Sequence, residues 1–336
     1  MLLSRTLVTA KRRFDLEMEF MTFRQEHVEQ ATTLVHQAYE RERAAVPLLP
    51  TVKSDILTSE IEQLCTEGLG FAVVQDGTLA GFLAGMRVQR FFGAADGVYI
   101  PIYGHGAQAE QRVSLQWALY AHAAQNWVDQ GLTSHAITMF THDGALVQAW
   151  FHMGFGLRCV DAIRPPAPVE APDSGLTVRL LTPDDADAIL PLHREHQSYY
   201  HRSPLFMPYR VDATAEWMRQ WLEQPCHHIW AAFDEGQPVS YMQVKHGGET
   251  FVSDDAAMRN ICGAFTAPAA RGRGAATVLL RHICAWMAEQ GFTRLGVDFE
   301  SFNPLGSAFW LRHFTPFTYS LTRRVDERII GFSPYD

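Results

Sequence analysis

The chain reads Ala264-Phe265-Thr266-Ala267-Pro268-Ala269-Ala270-Arg271-Gly272-Arg273-Gly274-Ala275-Ala276-Thr277-Val278-Leu279-Leu280, and three patterns meet in this stretch. An apolar, strand-like run over 260–265 ends in a turn that contains Pro268. A loop punctuated by Gly272 and Gly274 follows. Beyond it, apolar side chains recur on one helical face, and Gly291 is placed to end the helix. The stretch therefore predicts a strand, a glycine loop and a helix.

The loop suits an anion because side chains are nearly absent from Gly272 to Ala276. Several backbone N–H groups could face one ligand at a helix N-terminus, where the helix dipole favours negative charge. Arg271 and Arg273 add positive charge, so the loop predicts a pyrophosphate site. The sequence has neither the third glycine of a dinucleotide motif nor the Gly-Lys-Ser/Thr of a P-loop. The alternative is an ordinary turn whose glycines only relieve crowding.

Composition narrows the class of protein. A length of 336 residues suggests two domains, and 47% hydrophobic and 19% charged residues describe an ordinary globular chain. A net charge of −9 without a basic stripe argues against nucleic acid as a partner. No apolar run approaches the length of a membrane span. Five cysteines without a Cys-x-x-Cys motif indicate reduced thiols and a cytoplasmic protein.

The proline-rich segment 165–175 is the expected boundary between two domains and should act as a semi-rigid linker. We expect a basic leader over 1–18 that is disordered or loosely docked, a first domain over 19–164 and a second over 176–336. A hairpin with the turn Asp76-Gly77 in the first domain is repeated after the linker, over 229–241.

The two halves match at a constant offset of 160 positions. Matching pairs include Gln130 and Gln290, Gly131 and Gly291, Asp143 and Asn303, and Trp150 and Trp310. At two loop positions where the second half has Gly274 and Ala276, the first half has Ser114 and Gln116, whose side chains obstruct close approach of the backbone. The first half is therefore predicted to be a structural or substrate-shaping copy that no longer binds phosphate.

The pattern Arg271-x-x-Gly274-x-Ala276 resembles the acyl-CoA signature of the GNAT superfamily of N-acyltransferases, and Asn303, seven residues before Trp310, resembles its second landmark. This resemblance implies an α/β fold, here two tandem GNAT-like domains. Each would have a mixed, mostly antiparallel sheet flanked by helices. It also implies acetyl-CoA (CoA) as cofactor. The residues that it places around the cofactor are Ala264, Phe265, Thr266, Arg271, Gly272, Arg273, Gly274, Ala275, Ala276, Asn303 and Trp310.

Asp298 and Glu300 alternate with apolar residues and so share one face of a predicted strand. The resemblance places that strand beside the acyl thioester, so we expect Glu300 to be the general base, with Asp298 second. The alternative is that both are structural charges, paired with Arg294 or Arg312. Trp310 replaces the tyrosine that commonly protonates the leaving thiolate in this family. Tyr319 or water could take its place, or no acid is needed.

The connection after the first helix of the second domain usually shapes the acceptor pocket in GNAT proteins. Tyr199, Tyr200 and His201 are therefore expected to bind the acceptor, with aromatic packing as the alternative. His193 and His196 have helical metal-ligand spacing, but no third ligand is suggested. A solvated or capping role is expected for them, and no metal.

The sequence thus predicts an N-acetyltransferase that moves an acetyl group from acetyl-CoA to a primary amine of a small molecule or peptide. The alternatives are a non-catalytic acyl-CoA-binding sensor or interaction protein, and a nucleotide-binding α/β enzyme. We expect no nucleic-acid or membrane partner, and a monomer or a homodimer.

Overall fold

The computed structural model describes residues 18–332, so the predicted leader lies outside the described residues except for Met18. The helices are α1 (Val28–Ala45), α2 (Ser54–Cys65), α3 (Arg112–Asp129), α4 (Gly144–His152), α5 (Ala186–Tyr199), α6 (Ala215–Leu222), α7 (Ala275–Glu289) and α8 (Pro304–His313). The strands are β1 (Phe20–Thr22), β2 (Phe71–Gln75), β3 (Thr78–Leu83), β4 (Met86–Val88), β5 (Gly97–Ile100), β6 (His105–Ala107), β7 (Ser134–Phe140), β8 (Gly156–Arg164), β9 (Thr177–Leu180), β10 (His228–Asp234), β11 (Gln237–Lys245), β12 (Met258–Thr266), β13 (Arg294–Glu300) and β14 (Thr315–Arg324).

The chain forms two compact units that are discontinuous in sequence. Within the described residues, the first comprises 18–45, 51–158 and 318–332, and the second comprises 46–50 and 159–317. Most of β14 therefore belongs to the first unit, although it ends the second half of the sequence. Most of β8 belongs to the second unit, although it ends the first half. The sequential domain bounds, 19–164 and 176–336, remain a prediction.

In the first unit, β1, β2, β3 and β6 form an antiparallel sheet in that order. Strand β7 pairs in parallel with β5 and antiparallel with β14. The core of this unit is centred on aromatic and aliphatic side chains of α3 and α4, including the fully buried Trp127 and Trp150.

In the second unit the strand order is β8-β13-β12-β11-β10-β9. The pairing of β12 with β13 is parallel, and the other neighbours are antiparallel. Helix α5 packs against β11 and β12, and α7 packs against β10, β11 and β12. The predicted fold class is confirmed: both units combine mostly antiparallel strands with flanking helices, and in the first unit the strands β1-β2-β3-β6 and β4-β5-β7-β14 lie in two different sheets.

The repeat predicted from the 160-residue offset is also confirmed. Strands β7 and β13 begin and end at matching positions. Gly131 and Gly291 follow α3 and α7 with the same positive φ of 78°, the left-handed conformation that ends a helix. Asp143 caps α4 and Asn303 caps α8, each through its side-chain oxygen. No helix in the described part of the chain is long and apolar enough to cross a membrane.

Candidate active site

A bulge in β12 opens a cleft in the second unit. Opposite β11, Gln243 pairs with Gly263 and Val244 with Ile261, so Cys262 is the extra residue. The parallel pairing of β12 with β13 covers only Met258–Ile261, and the two strands separate beyond the bulge. The cleft has a volume of about 450 Å³, and Gly263–Thr266 line one wall of it. A backbone edge of this kind can accept an extended ligand as an added strand.

The N-terminus of α7 lies in the same cleft and lacks a side-chain cap. Its N-cap residue is Gly274, and no acidic residue is found in its first turn. The first N–H groups of a helix have no acceptor within the helix, and its dipole favours an anion there. By contrast, the N-terminus of α8 is capped by Asn303, and that of α6 by Thr214. The donors at Ala275 and Ala276 therefore suit a pyrophosphate.

Gly274 is required for two reasons. Its φ is +82°, which other residues rarely adopt, and a Cβ placed on it would lie 2.4 Å from Cγ of Pro172. The proline-rich segment 165–175, which lies within the second unit, thus packs against the glycine loop. A substitution at Gly274 would disturb this packing as well as any ligand, so Gly274 is a poor choice for testing ligand binding by mutation.

The two arginines of the loop differ in their partners. Arg271 lines the cleft, where its Nε donates to the Thr266 carbonyl oxygen at 3.1 Å and its guanidinium lies 5.3 Å from the ring centre of Tyr199. Arg273 is not among the lining residues, because its guanidinium pairs with Asp234 at 2.5 Å. Arg271 is the arginine that can contact a ligand.

Asp298 and Glu300 line the cleft on β13, on the face that their alternation predicted. Burial raises the pKa of Asp298 to about 7, and the carboxylates of Asp161, Glu249 and Glu300 add to the increase. Asp161 is the cross-strand partner of Asp298 on β8. A carboxyl group with a pKa near the working pH suits general-base catalysis. Asp298 therefore has the properties of a general base, and Glu300 lines the same cleft.

The raised pKa of Asp298 predicts a pH-dependent stability. An unfolded Asp has a pKa near 3.9, so ionisation of Asp298 costs the fold nothing below about pH 4 and progressively more up to about pH 7. Asp298→Asn should raise the free energy of unfolding by about 2 to 4 kcal/mol at about pH 8 and change it little at about pH 4. Urea denaturation at both pH values measures this. Glu170→Gln, at an exposed position of the linker, is the control, and an equal effect of Asp298→Asn at both pH values would contradict the assignment.

The tyrosines near the cleft are placed differently from one another. Tyr199 and Tyr200 line it, as predicted. His201 is exposed, is not among the lining residues, and has its Nε2 against the carbonyl oxygen of Tyr209. Tyr319 is not among the residues that line the cleft; it packs against the core of the first unit, opposite Met139 on β7, and its role as an acid remains a prediction.

Asn303 has a structural role in addition to any contact with a ligand. Its Oδ1 accepts from the backbone N–H of Gly306 at 3.3 Å and from the Tyr199 hydroxyl at 3.3 Å. The side-chain amide of Asn303 and the half-buried ring of Phe309 line the cleft together with Trp310. Both landmark residues of the helix thus lie at the cleft.

This double role predicts different effects for two substitutions. Asn303→Ala removes the cap of α8 and should lower stability by about 1 kcal/mol, or a few degrees in Tm. Asn303→Asp places in the second unit the residue that caps α4 in the first, so its Tm should stay near that of the wild type. Its acetyl-CoA affinity should fall, because a carboxylate cannot donate a hydrogen bond. Thermal unfolding and calorimetric titration separate the two effects; equal Tm losses in both variants would contradict the capping role.

The matching site of the first unit is a cavity of about 510 Å³ in which polar side chains bind one another or the backbone. Arg112, at the start of α3, binds Asp143 through Nε and Nη2 at 2.5 and 2.9 Å. Gln116 is buried, and its Nε2 donates to the carbonyl oxygens of Phe82 and Gly106, each at 3.1 Å. Gly106 matches Thr266 at the offset of 160, so the Gln116 amide binds the carbonyl group that matches the one bound by Arg271 in the second unit.

The sequence did not indicate several polar residues in and behind the cleft. Ser240 on β11 bonds to the Thr266 hydroxyl at 2.7 Å and holds the open end of β12. His193 and His196 are not solvated, as was predicted, but buried, and their Nδ1 atoms lie 2.8 and 2.7 Å from the Tyr241 hydroxyl. The apolar surroundings of Tyr241 in the sequence could have indicated a buried strand, but nothing in the sequence joins it to the two histidines.

A glycine loop at an uncapped helix N-terminus, beside a splayed strand edge, suits a phosphate-bearing, extended ligand. Residues 190–314, which lie within the second unit, match the model of the acetyltransferase (GNAT) family. We therefore assign residues 190–314 to that family, and the protein is an acyltransferase. No curated protein sequence matches the chain.

Two solved structures share the fold over 91% of this chain. One is a GCN5-related N-acetyltransferase from Sphaerobacter thermophilus, with a TM-score of 0.58 and 14% identity, covering 91% of this chain and 95% of its own. The other is a glucosamine N-acetyltransferase region in a fungal multi-domain GH3 β-N-acetylglucosaminidase, with a TM-score of 0.53 and 12% identity. That match covers 91% of this chain and 38% of the other. At these identities the likeness establishes the fold alone.

Proposed function

We propose that the second unit transfers an acetyl group from acetyl-CoA to a primary amine of a small molecule or a peptide, by direct attack in a ternary complex. One observation carries this proposal: an uncapped helix N-terminus, an open strand edge and a carboxyl group with a raised pKa line a single cleft. The protein is proposed to be cytoplasmic, as a monomer or a homodimer.

The cleft fits acetyl-CoA in its chemistry. The backbone N–H groups of the loop and of the first turn of α7, over 272–276, would bind the pyrophosphate, and the edge at Ala264–Thr266 would bind the pantetheine arm. The Asn303 amide and the Trp310 ring would contact the arm nearer its thioester end. Acetyl-CoA supplies a thioester whose carbonyl carbon is open to attack by an amine.

The chain's own groups provide the proton transfers. Asp298 accepts a proton from the incoming ammonium, with Glu300 as the second carboxylate of the cleft. A backbone N–H at the open edge of β12 donates to the oxygen on which negative charge develops. Holding both substrates side by side supplies most of the rate.

Tyrosine hydroxyls of the cleft are the proposed source of the proton for the leaving thiolate, in place of Tyr319. Burial and the charge of Glu300 raise the pKa of Tyr200, so its hydroxyl stays protonated. The Tyr199 hydroxyl lies beside Asn303. The hydroxyl that Trp310 cannot supply is thus available from α5 and the residue that follows it.

The test is amine-dependent release of CoA from acetyl-CoA, measured against a panel of polyamines, aminoglycosides, amino acids and peptides. We expect at least one amine to accelerate release in the wild type. Binding of acetyl-CoA without acceleration by any amine would favour the alternative of a non-catalytic acyl-CoA-binding sensor. The observation that favours this alternative is Trp310, which stands in place of an acidic hydroxyl. Binding of a nucleotide in place of CoA would favour the nucleotide enzyme.

A further inference from the structure

Three buried polar side chains join the cleft to a second cavity of the same unit. His196 and Tyr241 line the cleft, whereas His193 lines a cavity of about 690 Å³ together with Trp217 and Lys245. The Tyr241 hydroxyl lies 2.8 Å from His193 Nδ1 and 2.7 Å from His196 Nδ1. Tyr241 is wholly buried, and each histidine is less than a tenth exposed. The three groups therefore form one continuous chain of hydrogen bonds.

Packing fixes the two imidazole rings. The ring of His193 stacks on Trp217 with a centroid distance of 5.4 Å, and the ring of His196 stacks on Phe265 at 5.2 Å. With Nδ1 of each ring engaged by Tyr241, Nε2 is the nitrogen that each ring can present to the cavity it lines.

Both histidines are neutral at neutral pH. Burial lowers the pKa of His193 to about 4, and burial together with His193 lowers that of His196 to about 3. The Tyr241 hydroxyl has one proton, so it donates to one Nδ1 and accepts from the other. The two rings must therefore be in opposite tautomers. If the three side chains only stabilised the fold, apolar side chains could replace them, and no particular pair of tautomers would be needed.

We propose that His196, Tyr241 and His193 form a proton relay that carries the proton released during acyl transfer from the cleft to the second cavity. The inference rests on the proposed acetyltransferase function. His196 accepts a proton at Nε2 and passes its Nδ1 proton to the Tyr241 oxygen. The Tyr241 hydroxyl proton passes to His193 Nδ1, and His193 releases its Nε2 proton into the cavity. One proton enters and one leaves, and no electrons are exchanged.

The test compares Tyr241→Phe with Tyr120→Phe in the full-length protein. Tyr120 is an equally buried tyrosine of the first unit, where its hydroxyl lies 2.9 Å from His135 Nδ1. Both variants should lose similar stability, but only Tyr241→Phe should lower kcat, by about tenfold or more, with the Kd for acetyl-CoA unchanged. His193→Ala should lower kcat likewise, and added imidazole should restore part of it, because the cavity lined by His193 has room for an imidazole molecule.

The outcomes are distinguishable. A wild-type kcat in Tyr241→Phe, an equal loss in Tyr120→Phe, or no response of His193→Ala to imidazole would overturn the relay and leave the acetyltransferase proposal standing. A wild type that binds acetyl-CoA and turns over no amine would overturn the proposed function and, with it, the relay.

Discussion

Asp298→Asn should lower kcat by about a hundredfold or more, because it removes the proposed general base from the cleft. The pKa of Asp298 is raised to about 7, so wild-type kcat/KM should rise with pH up to about 7 and level off as Asp298 loses its proton. The rise in kcat/KM reflects the ionised form of Asp298, so Asp298→Asn should not show it. Steady-state rates across the pH range, with the amine that the wild type acetylates fastest, measure both effects.

Glu300→Gln distinguishes the two carboxylates. The charges that face Asp298 are those of Asp161, Glu249 and Glu300, with the Cys159 thiol also nearby. Removing one of these charges should lower the pKa of Asp298 and move the rising limb to lower pH, with a smaller loss of kcat than in Asp298→Asn. If Glu300→Gln abolishes turnover while Asp298→Asn retains it, Glu300 is the base.

Ala276→Asp should weaken acetyl-CoA binding by about a hundredfold or more. Ala276 lines the cleft in the first turn of α7, where a carboxylate suits the helix dipole and should leave Tm unchanged or higher. The same carboxylate would lie where the pyrophosphate is proposed to bind. Repulsion between unit charges about 4 Å apart near a protein surface is worth about 4 kcal/mol. Calorimetric titration measures the loss.

Ala285→Asp is the matched control. Ala285 is exposed, lies on the same helix and receives the same change of charge far from its N-terminus. Its acetyl-CoA affinity should equal that of the wild type. Equal weakening in the two variants would mean that net charge, and not the position in the loop, controls binding.

Local features of the fold could be read from the sequence because single residues specify them. The turn Asp76-Gly77 has positive φ at both positions, and so does Glu235-Gly236 in the repeated hairpin. The loop at the start of α7 and the face shared by Asp298 and Glu300 follow from helix and strand periods in the same way. Each of these depends only on neighbours in the chain.

Features that depend on distant pairings could not be read in this way. Strands β8 and β14 are exchanged between the units because β8 pairs with β13, Arg164 opposite Leu295, and β14 pairs with β7, Tyr319 opposite Met139. No short sequence pattern encodes either pairing. The same exchange places Tyr319 in the first unit, although it lies in the second half of the sequence. The bulge at Cys262 likewise results from the register of two strands, and it opens the cleft.

Polar residues on helices were the least predictable. His193 and His196 lie three positions apart on a helix, a spacing that does not indicate burial, and only the fold brings Tyr241 between them. In the first unit, the offset showed that Gln116 replaces a small residue, but not that its amide would bind two strand carbonyl groups. Contacts across the sheet determine both outcomes.

We propose that the second unit binds acetyl-CoA and that the first unit has lost the loop chemistry that binding needs, since Arg112 pairs with Asp143 and Gln116 replaces a small residue. Calorimetric titration of acetyl-CoA into the wild-type protein tests this most directly. We expect saturation at one acetyl-CoA for each chain, because at the matching positions of the first unit Arg112 pairs with Asp143 and Gln116 binds strand carbonyl groups. Saturation at two, or no binding, would contradict it.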